Sequence, residues 1–130
     1  MSVGKVIYDL LSSDGTVSGQ VSTRIYPDTV PQEATFPYVA YTVISTSPTN
    51  FKDGASKLDE VQVQVDIYSR AYGTTQTIAT AARSALDRYS GTNNSVVVDK
   101  IIFENEGAGQ YEPQIGVYWA SQDYRVRVKR

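Results

Sequence analysis

The sequence predicts an α+β fold in which a mainly antiparallel four-strand sheet has two helices packed on one face. Two stretches, residues 3–11 and 78–89, repeat their apolar residues with the period of a helix. Residues 61–68 alternate apolar and polar side chains, as a strand with one buried face does. A length of 130 residues suits one domain, and we expect residues 1–130 to form it.

Both predicted helices carry a single apolar stripe. The first takes Ser2 as its N-cap and is expected to end in a turn at Asp14 and Gly15. Its stripe consists of Val3, Val6, Ile7, Leu10 and Leu11. The second helix begins after Gly73, and the alanines in its stripe allow it to lie close to a sheet.

The predicted strands are rich in β-branched and aromatic residues. In the stretch 61–68, the face expected to pack against the second helix consists of Val61, Val63, Val65 and Ile67. The opposite face is polar, which is typical of an antiparallel sheet covered on one side. Other strands are predicted at residues 38–45, 96–103 and 117–128, with a short one at 24–26. Residues 46–57 and 104–113 are predicted as loops.

The composition excludes several classes of chemistry. The chain has no Cys, which excludes disulfides and thiolate chemistry, and no His, which excludes Ser-His-Asp catalysis. Twelve basic against fourteen acidic residues give a net charge of −2, so no overall field favours nucleic acid. No apolar run is long enough for a membrane span, and the N-terminus lacks the apolar core of a signal peptide. We therefore expect no membrane partner.

Three patterns that suggest active sites have simpler structural explanations. Glu104 and Glu106 lie two residues apart beside a glycine-containing loop, but a short acidic run is usually solvated. Asp59, Glu60 and Asp66 lack the spacing of a calcium loop. The Gly-Ala-Gly after Glu106 lacks the third glycine and the Lys of a phosphate-binding loop. The sequence therefore predicts no catalytic residue, no cofactor and no metal site.

The last strand and the tyrosine content point to binding instead. Arg125, Arg127 and Lys129 recur at every second position, so they line one face of that strand. Such a face fits an interface for acidic groups, or a charged surface that resists edge pairing. The chain also has ten Tyr, a residue type enriched at protein contacts. These features indicate a small binding or assembly module.

An ordered set of segments resembles a known family. The segments are residues 24–27 (RIYP), 36–41 (FPYVAY), 61–68 (VQVQVDIY) with a following helix that ends Ala85-Leu86, 111–113 (YEP), 116–118 (GVY) and 123–126 (DYRV). Together they resemble the tail-completion (tail-terminator) family of long-tailed bacteriophages and prophages. The resemblance covers nearly the whole chain in the right order. Within it, Arg24 and Pro27 are expected to shape a turn, and Asp66 to lie on the wet face of the central strand.

The resemblance implies a structural virion protein without catalytic or cofactor residues. It implies a ring, usually hexameric, that caps the tail tube, ends its polymerisation and offers a surface to the head–tail connector. The implied partners are other copies of the chain, the tail tube protein and the connector or a neck protein, without specific nucleic-acid recognition. The implied place is the head-proximal end of the tail, after synthesis in the host cytoplasm. A neck or head-completion protein is the main alternative. A nucleic-acid-binding module and a small hydrolase are remote ones.

Arg125 and Arg127 are predicted to contact a neighbouring subunit. Their expected partners are the acidic residues Glu104, Glu106 and Glu112 of that neighbour, because the two signs of charge lie in separate short stretches. The alternative is pairing within one chain, because the acidic loop joins the last two strands.

A second predicted contact is formed by Phe51, Lys52 and Asp53 in the loop at 46–57. This loop is expected to be mobile in the isolated subunit and ordered in the assembly, with Phe51 as an anchor. The alternative is a solvated hairpin tip without a function.

Overall fold

Three helices and seven strands make up the described part of the chain. A computed structural model gives the structure of residues 3–28, 30–31, 34–51, 54–107 and 110–129. The helices are α1 (Val3–Ser13), α2 (Gly15–Val21) and α3 (Tyr72–Leu86). The strands are β1 (Ile25–Pro27), β2 (Tyr38–Phe51), β3 (Gly54–Ser69), β4 (Gly91–Asn93), β5 (Val96–Glu106), β6 (Gln110–Glu112) and β7 (Val117–Lys129).

The described strands form one curled, mixed sheet. Their order is β1-β2-β3-β7-β5-β4, and β6 pairs with the start of β7. β1 runs parallel to β2, whereas the other described pairings are antiparallel. The prediction of a mainly antiparallel four-strand sheet with two helices is therefore wrong. It missed β4 and β6, which have three residues each, because so short a strand has no readable period.

The helix that was not predicted, α2, begins where the sequence indicated a turn. Asp14 caps it, since its Oδ1 accepts hydrogen bonds of 3.0 Å from the backbone N–H groups of Thr16 and Val17. Glycine and β-branched residues make this stretch a poor helix former. Burial of Val17 and Val21 stabilises the helix instead, so packing overrides local propensity.

β2 and β3 form a long hairpin in place of the loop predicted at 46–57. Their ladder extends from Tyr38 opposite Tyr68 to Phe51 opposite Gly54, with two register shifts. The loop prediction is therefore wrong for the described residues of this segment. Polar side chains and Pro48 obscured the strand. Proline is nevertheless compatible with a strand at the edge of a sheet, which is where β2 lies from residue 42 onward.

The two long edges of the sheet differ in how they are covered. On the β5 side, the backbone of residues 88–89 hydrogen-bonds to both the N–H and the C=O of Ile101. Asp87 Oδ1 also accepts a hydrogen bond of 3.0 Å from the backbone N–H of Phe103. On the β2 side, β1 covers only residues 39–41, and no described strand pairs with the outer side beyond them. The unpaired edge of the sheet is therefore that of β2.

The described residues of the predicted loop at 104–113 are also mostly strand. β5 continues through Glu106, and β6 occupies residues 110–112. The loop prediction is wrong there because charged residues and glycine do not prevent pairing with a long neighbour such as β7.

One face of the sheet packs against all three described helices. Alternate residues of β3 are at most 1% exposed and lie in one apolar cluster with residues of α1, α2 and α3. The β3 members are Val61, Val63, Val65 and Ile67, and the α3 members are Ile78, Ala79, Ala82 and Leu86. The prediction that this face of β3 packs against the second predicted helix is confirmed.

A buried amide links α3 to the sheet. Gln122 of β7 is fully buried, and its Nε2 donates to the backbone oxygen of Ala79 at 2.8 Å and to Glu106 Oε1 at 2.7 Å. Its Oε1 accepts a hydrogen bond of 2.8 Å from the Tyr124 hydroxyl. Burial, with a smaller effect of Asp87 and Glu106, raises the pKa of Tyr124 far above its ordinary value. The tyrosine therefore stays neutral and keeps donating, which explains a polar residue within an apolar face.

The two faces of β3 give a direct test of the packing. Val65→Ala is expected to lower the free energy of unfolding by about 1–3 kcal/mol, because it removes buried methyl groups and leaves a cavity. Gln64→Ala, one residue away on the opposite face, is the matched control and is expected to cost less than about 0.5 kcal/mol. Urea denaturation midpoints measure both. Equal losses would contradict one covered and one uncovered face.

Candidate assembly surface

The face of the sheet opposite the helices is called the open face. Its central side chains come from β2, β3 and β7 and are half-buried by one another rather than by a described helix. Because side chains alternate along a strand, the pattern that buries one face leaves the other open. Along the strands the open face changes from aromatic to acidic and then to mixed charge. The members, in that order, are Tyr38, Tyr68 and Trp119, then Asp66 and Asp123, then Glu60, Arg125 and Arg127.

Rings from four parts of the chain form a row at one end of the open face. The Tyr38 ring lies 5.0 Å from the Tyr68 ring and 5.1 Å from the Phe36 ring, measured between centroids. Tyr68 stacks on Trp119 at 6.3 Å, and Tyr26 meets Tyr38 edge-on at 6.0 Å. We call Tyr26, Phe36, Tyr38, Tyr68 and Trp119 the aromatic row. Ring pairs at such separations add stabilisation beyond the area they bury.

Arg70 closes one end of the aromatic row. Its guanidinium carbon lies 4.7 Å from the centre of the Phe36 ring, and its Nη1 donates to the backbone oxygen of Ile115 at 3.1 Å. Desolvation by burial is the main cause that raises the pKa of Tyr38 and of Tyr68 above the ordinary value. Both hydroxyls therefore stay neutral near physiological pH, and the row presents uncharged rings.

Two carboxylates, called the acidic strip, follow the aromatic row. Asp66 of β3 lies opposite Ser121, and Asp123 of β7 lies opposite Gln64. Asp66 Oδ1 accepts a hydrogen bond of 2.9 Å from Gln64 Nε2, and its position on the uncovered side of β3 confirms the expectation for that residue. Among the described residues, no Lys or Arg forms an ion pair with either carboxylate. No described cation therefore compensates the carboxylates of the acidic strip.

Glu60, Glu104, Arg125 and Arg127 form a charge cluster at the far end of the open face. Arg125 Nη2 lies 2.6 Å from Glu104 Oε2, and its Nε lies 3.8 Å from Glu60 Oε2. Arg127 Nε lies 3.5 Å from Glu60 Oε1, although the two are not aligned for a hydrogen bond. Both arginines thus pair with acidic residues of the same chain. This is the arrangement expected under the alternative, in which the charges pair within one chain. Contact of this cluster with a neighbour stays a prediction.

The other acidic residues of the predicted contact lie on different surfaces. Glu106 turns to the helix-covered face, where it accepts the hydrogen bond from Gln122. Glu112 is exposed in β6. Because Glu104 meets Arg125 on the open face, Glu104 and Glu106 do not form a pair of carboxylates on one surface. The arrangement lacks the facing acid and nucleophile of a glycosidase site.

The hairpin tip projects beyond the rest of the sheet. In the described residues, β7 pairs with β3 only from Leu58 onward, whereas β2 and β3 stay paired as far as Phe51 and Gly54. We call the described residues 48–51 and 54–57 the hairpin arm. Of the contact residues predicted there, Phe51 contributes its backbone to β2, and Lys52 and Asp53 lie outside the described residues.

Two features are absent from the described part of the chain. Across those residues, no three His, Cys, Asp or Glu side chains form a group that could hold a metal ion. None of the helices described above combines the length and hydropathy that a membrane crossing needs. What the open face supplies is ring surface, uncompensated carboxylates and ion pairs.

A family comparison covers almost the whole chain. Residues 5–129 match the family described as "Tail completion protein gp17". The chain belongs to this family. The resemblance drawn from the sequence segments is thereby confirmed. Tail completion proteins are structural components of phage virions, so this chain is a structural phage protein of the tail and neck region.

A solved structure shares the fold of this tail completion protein. A chain of the structure described as "Virion of native gene transfer agent (GTA) particle" is similar to it with a TM-score of 0.79. The similarity covers 99% of this chain and 100% of that chain at 16% sequence identity, which establishes the fold alone. No curated protein sequence matches this tail completion protein.

The sequence missed two parts of the open face. One is the aromatic row, and the other is Glu60 as the partner of both arginines. The signal that finds them is an antiparallel alignment of the two alternating stretches, β3 and β7. That alignment places Tyr68 opposite Trp119 and Glu60 opposite Arg127.

The charge cluster predicts a salt-dependent contribution to stability. Glu60→Gln removes the charge shared by two arginines and is expected to lower the free energy of unfolding by up to about 1 kcal/mol, as for half-exposed ion pairs. High salt should shrink this loss, because it screens exposed charges. Asp123→Asn, on the same face but without an ion-pair partner, is the matched control and should not destabilise the protein. Thermal melts at low and high salt measure both, and a salt-independent loss in Glu60→Gln would contradict the ion-pair explanation.

Proposed function

We propose that this tail completion protein forms a ring, expected to be hexameric, that caps the tail tube at its head-proximal end. The ring ends polymerisation of the tube and joins it to the head–tail connector or a neck protein. The match of residues 5–129 to the tail completion family carries this proposal. The fold shared with a chain of a gene transfer agent virion supports it.

The geometry of the chain supports assembly into a ring. Rotational symmetry requires two different patches, one on each side of a subunit, that fit each other. The hairpin arm and the aromatic row lie at opposite ends of the sheet, so one subunit has two distinct surfaces. The proposed contact residues are Phe51, Lys52 and Asp53 at the β2–β3 hairpin, Glu104, Arg125 and Arg127 in the charge cluster, and Glu106 and Glu112 on other surfaces.

The proposed role is mechanical. One side of the ring binds the last ring of tube subunits, and the other side presents a surface on which no further tube subunit fits. This role involves no covalent step, so we propose no enzymatic activity and no cofactor. The protein would be made in the host cytoplasm and carried in the virion. In the alternative, the chain is a neck or head-completion protein, which binds the head before the head and the tail join.

The position in the virion distinguishes these two roles. Head-less tails and tail-less heads can be separated from one lysate and labelled with gold-conjugated antibody against the chain. The proposal predicts label at one end of the tails and none on the heads. Label on tail-less heads only would contradict it and favour the head-completion role.

Tube growth tests the proposed termination step. Adding the purified chain to polymerising tail tube protein is expected to shorten the tubes as the ratio of chain to tube protein rises, because capped ends no longer grow. The Val65→Ala variant is not suitable as a control because it affects folding, so bovine serum albumin at equal mass serves instead. An unchanged distribution of tube lengths would contradict the capping role.

A further inference from the structure

We propose that the outer edge of β2, at residues 42–47, receives a short extended segment of another virion protein as an additional strand. The inference rests on the proposed assembly into the tail and names the kind of segment that this edge fits. The segment pairs with β2 through its backbone and places one large apolar side chain in a cleft beside the edge.

The pairing of β2 with β1 shows which backbone groups of β2 face outward. The N–H of Val39 donates to the backbone oxygen of Arg24 at 3.0 Å. The C=O of Tyr41 accepts a hydrogen bond of 2.8 Å from the Asp28 N–H. Because this orientation alternates along a strand, the N–H and C=O of Val43 also face outward. No described strand pairs with them.

The register shift in β2 transfers the outward orientation to Thr46. Val43 lies opposite Val63 of β3, and Thr46 lies opposite Val61, two residues further along the same strand. Thr46 therefore turns its N–H and C=O outward as well. Pro48 is the next residue with this orientation, and proline has no N–H to donate. The part of the edge that can pair thus ends before Pro48.

The chemistry of this edge suits strand addition. Residues 42–47 read TVISTS and contain no charged residue. Edge strands are commonly protected by charged side chains, which repel or solvate an approaching strand. Val43 is 41% exposed and Ile44 is 53% exposed. An uncharged edge with exposed β-branched residues therefore offers both backbone groups and apolar surface to an extended segment.

A cleft of about 390 Å³ lies beside the edge on the helix-covered face. Its apolar lining comes from the start of α1, from β2 and from β3, and consists of Val3, Tyr41, Val43 and Val61. Residues that lie directly opposite each other on neighbouring strands point their side chains to the same face. A residue added opposite Val43 therefore places its side chain in the cleft. A large apolar side chain there covers Val43, as the described parts of the chain already cover Val39 and Tyr41.

A second copy of β2 does not fit this edge. Antiparallel pairing within residues 42–47 would place residues 48–51 of the copy alongside residues 38–41. β1 already occupies the edge at residues 39–41. Parallel pairing in register would bring β1 of the two copies into the same place. The occupant is therefore a segment short enough to fit between β1 and Pro48.

The short strands of a second copy lack a side chain for the cleft. β4 reads Gly-Thr-Asn and has no large apolar residue. In β6 the Tyr111 ring already lies 4.5 Å from the Tyr118 ring, measured between centroids. In β1 the Ile25 side chain is buried in its own subunit. These described strands do not supply the occupant, which favours a segment of a different protein.

Photo-crosslinking in complete virions tests the contact. Ile44 is replaced by p-benzoylphenylalanine, and in the matched control Thr80, which is exposed on α3, is replaced instead. We expect irradiation to join position 44, but not position 80, to one segment of another virion protein. Mass spectrometry of the joined peptides should show a large apolar residue in that segment. No product from position 44, products with copies of this chain alone, or the same product from position 80 would overturn the proposal.

A backbone variant distinguishes strand pairing from a side-chain contact. Thr46→Pro removes the outward N–H, whereas Thr46→Ala keeps it. With the photo-reactive group at position 44, we expect Thr46→Pro to lower the crosslink yield roughly tenfold, because a hydrogen bond is lost and the ring blocks the approach. Thr46→Ala should keep the yield within about twofold. Circular dichroism melts establish that both variants are folded, and equal yields in folded variants would contradict strand addition.

Hydrogen exchange of the purified chain tests the free edge without any substitution. The N–H groups of Thr42 and Ser47 face β3, because these residues alternate with Val43 and Thr46. NMR should show fast exchange at Val43 and Thr46 and protection at Thr42 and Ser47. Equal protection at all four positions would mean that the free chain already covers this edge, and it would overturn the proposal.

The edge contact and the proposed function fail separately in these experiments. If gold-conjugated antibody labels one end of the tails but position 44 gives no crosslink, the tail-capping role stands and this inference is wrong. If the crosslink forms and depends on the Thr46 N–H but antibody labels tail-less heads only, the edge contact stands and the tail-capping role is wrong.

Discussion

The central strands β3 and β7 pair without a register shift from Leu58 opposite Lys129 to Ser69 opposite Tyr118. This uninterrupted ladder fixes which side chains of each strand point to the helices and which point away. A shift of β3 by one residue would bring Asp66 under the helices and expose the valines of β3. The apolar cluster, the aromatic row and the charge cluster therefore all depend on this one register.

The two faces use that register differently. On the covered face the amide of the fully buried Gln122 is satisfied by α3, β5 and β7 and so ties these elements together. The open face carries aromatic and charged side chains. Its charges pair with one another only in the charge cluster. What remains uncompensated among the described residues is a negative strip beside neutral rings.

Local patterns predicted the covered face, because its period is visible within eight or eleven residues of sequence. The helix stripe and the alternation at 61–68 identified α1, α3 and the buried valines correctly. Features that depend on distant partners were missed. Residues 48–57 have no apolar period that would predict a strand. α2 forms through burial of Val17 and Val21 despite weak propensity. The aromatic row appears only when β2, β3 and β7 are aligned. The position of Glu60 beside both Arg125 and Arg127 likewise depends on the alignment of β3 with β7.

Electron cryomicroscopy of head-less tails, at a resolution that traces strands, tests the central claim of this account most directly. The account predicts a ring of this chain at the head-proximal end of the tail, in which neighbouring subunits contact each other through two different surfaces. Tails without this chain at that end, or with copies of it that do not contact one another, would contradict it.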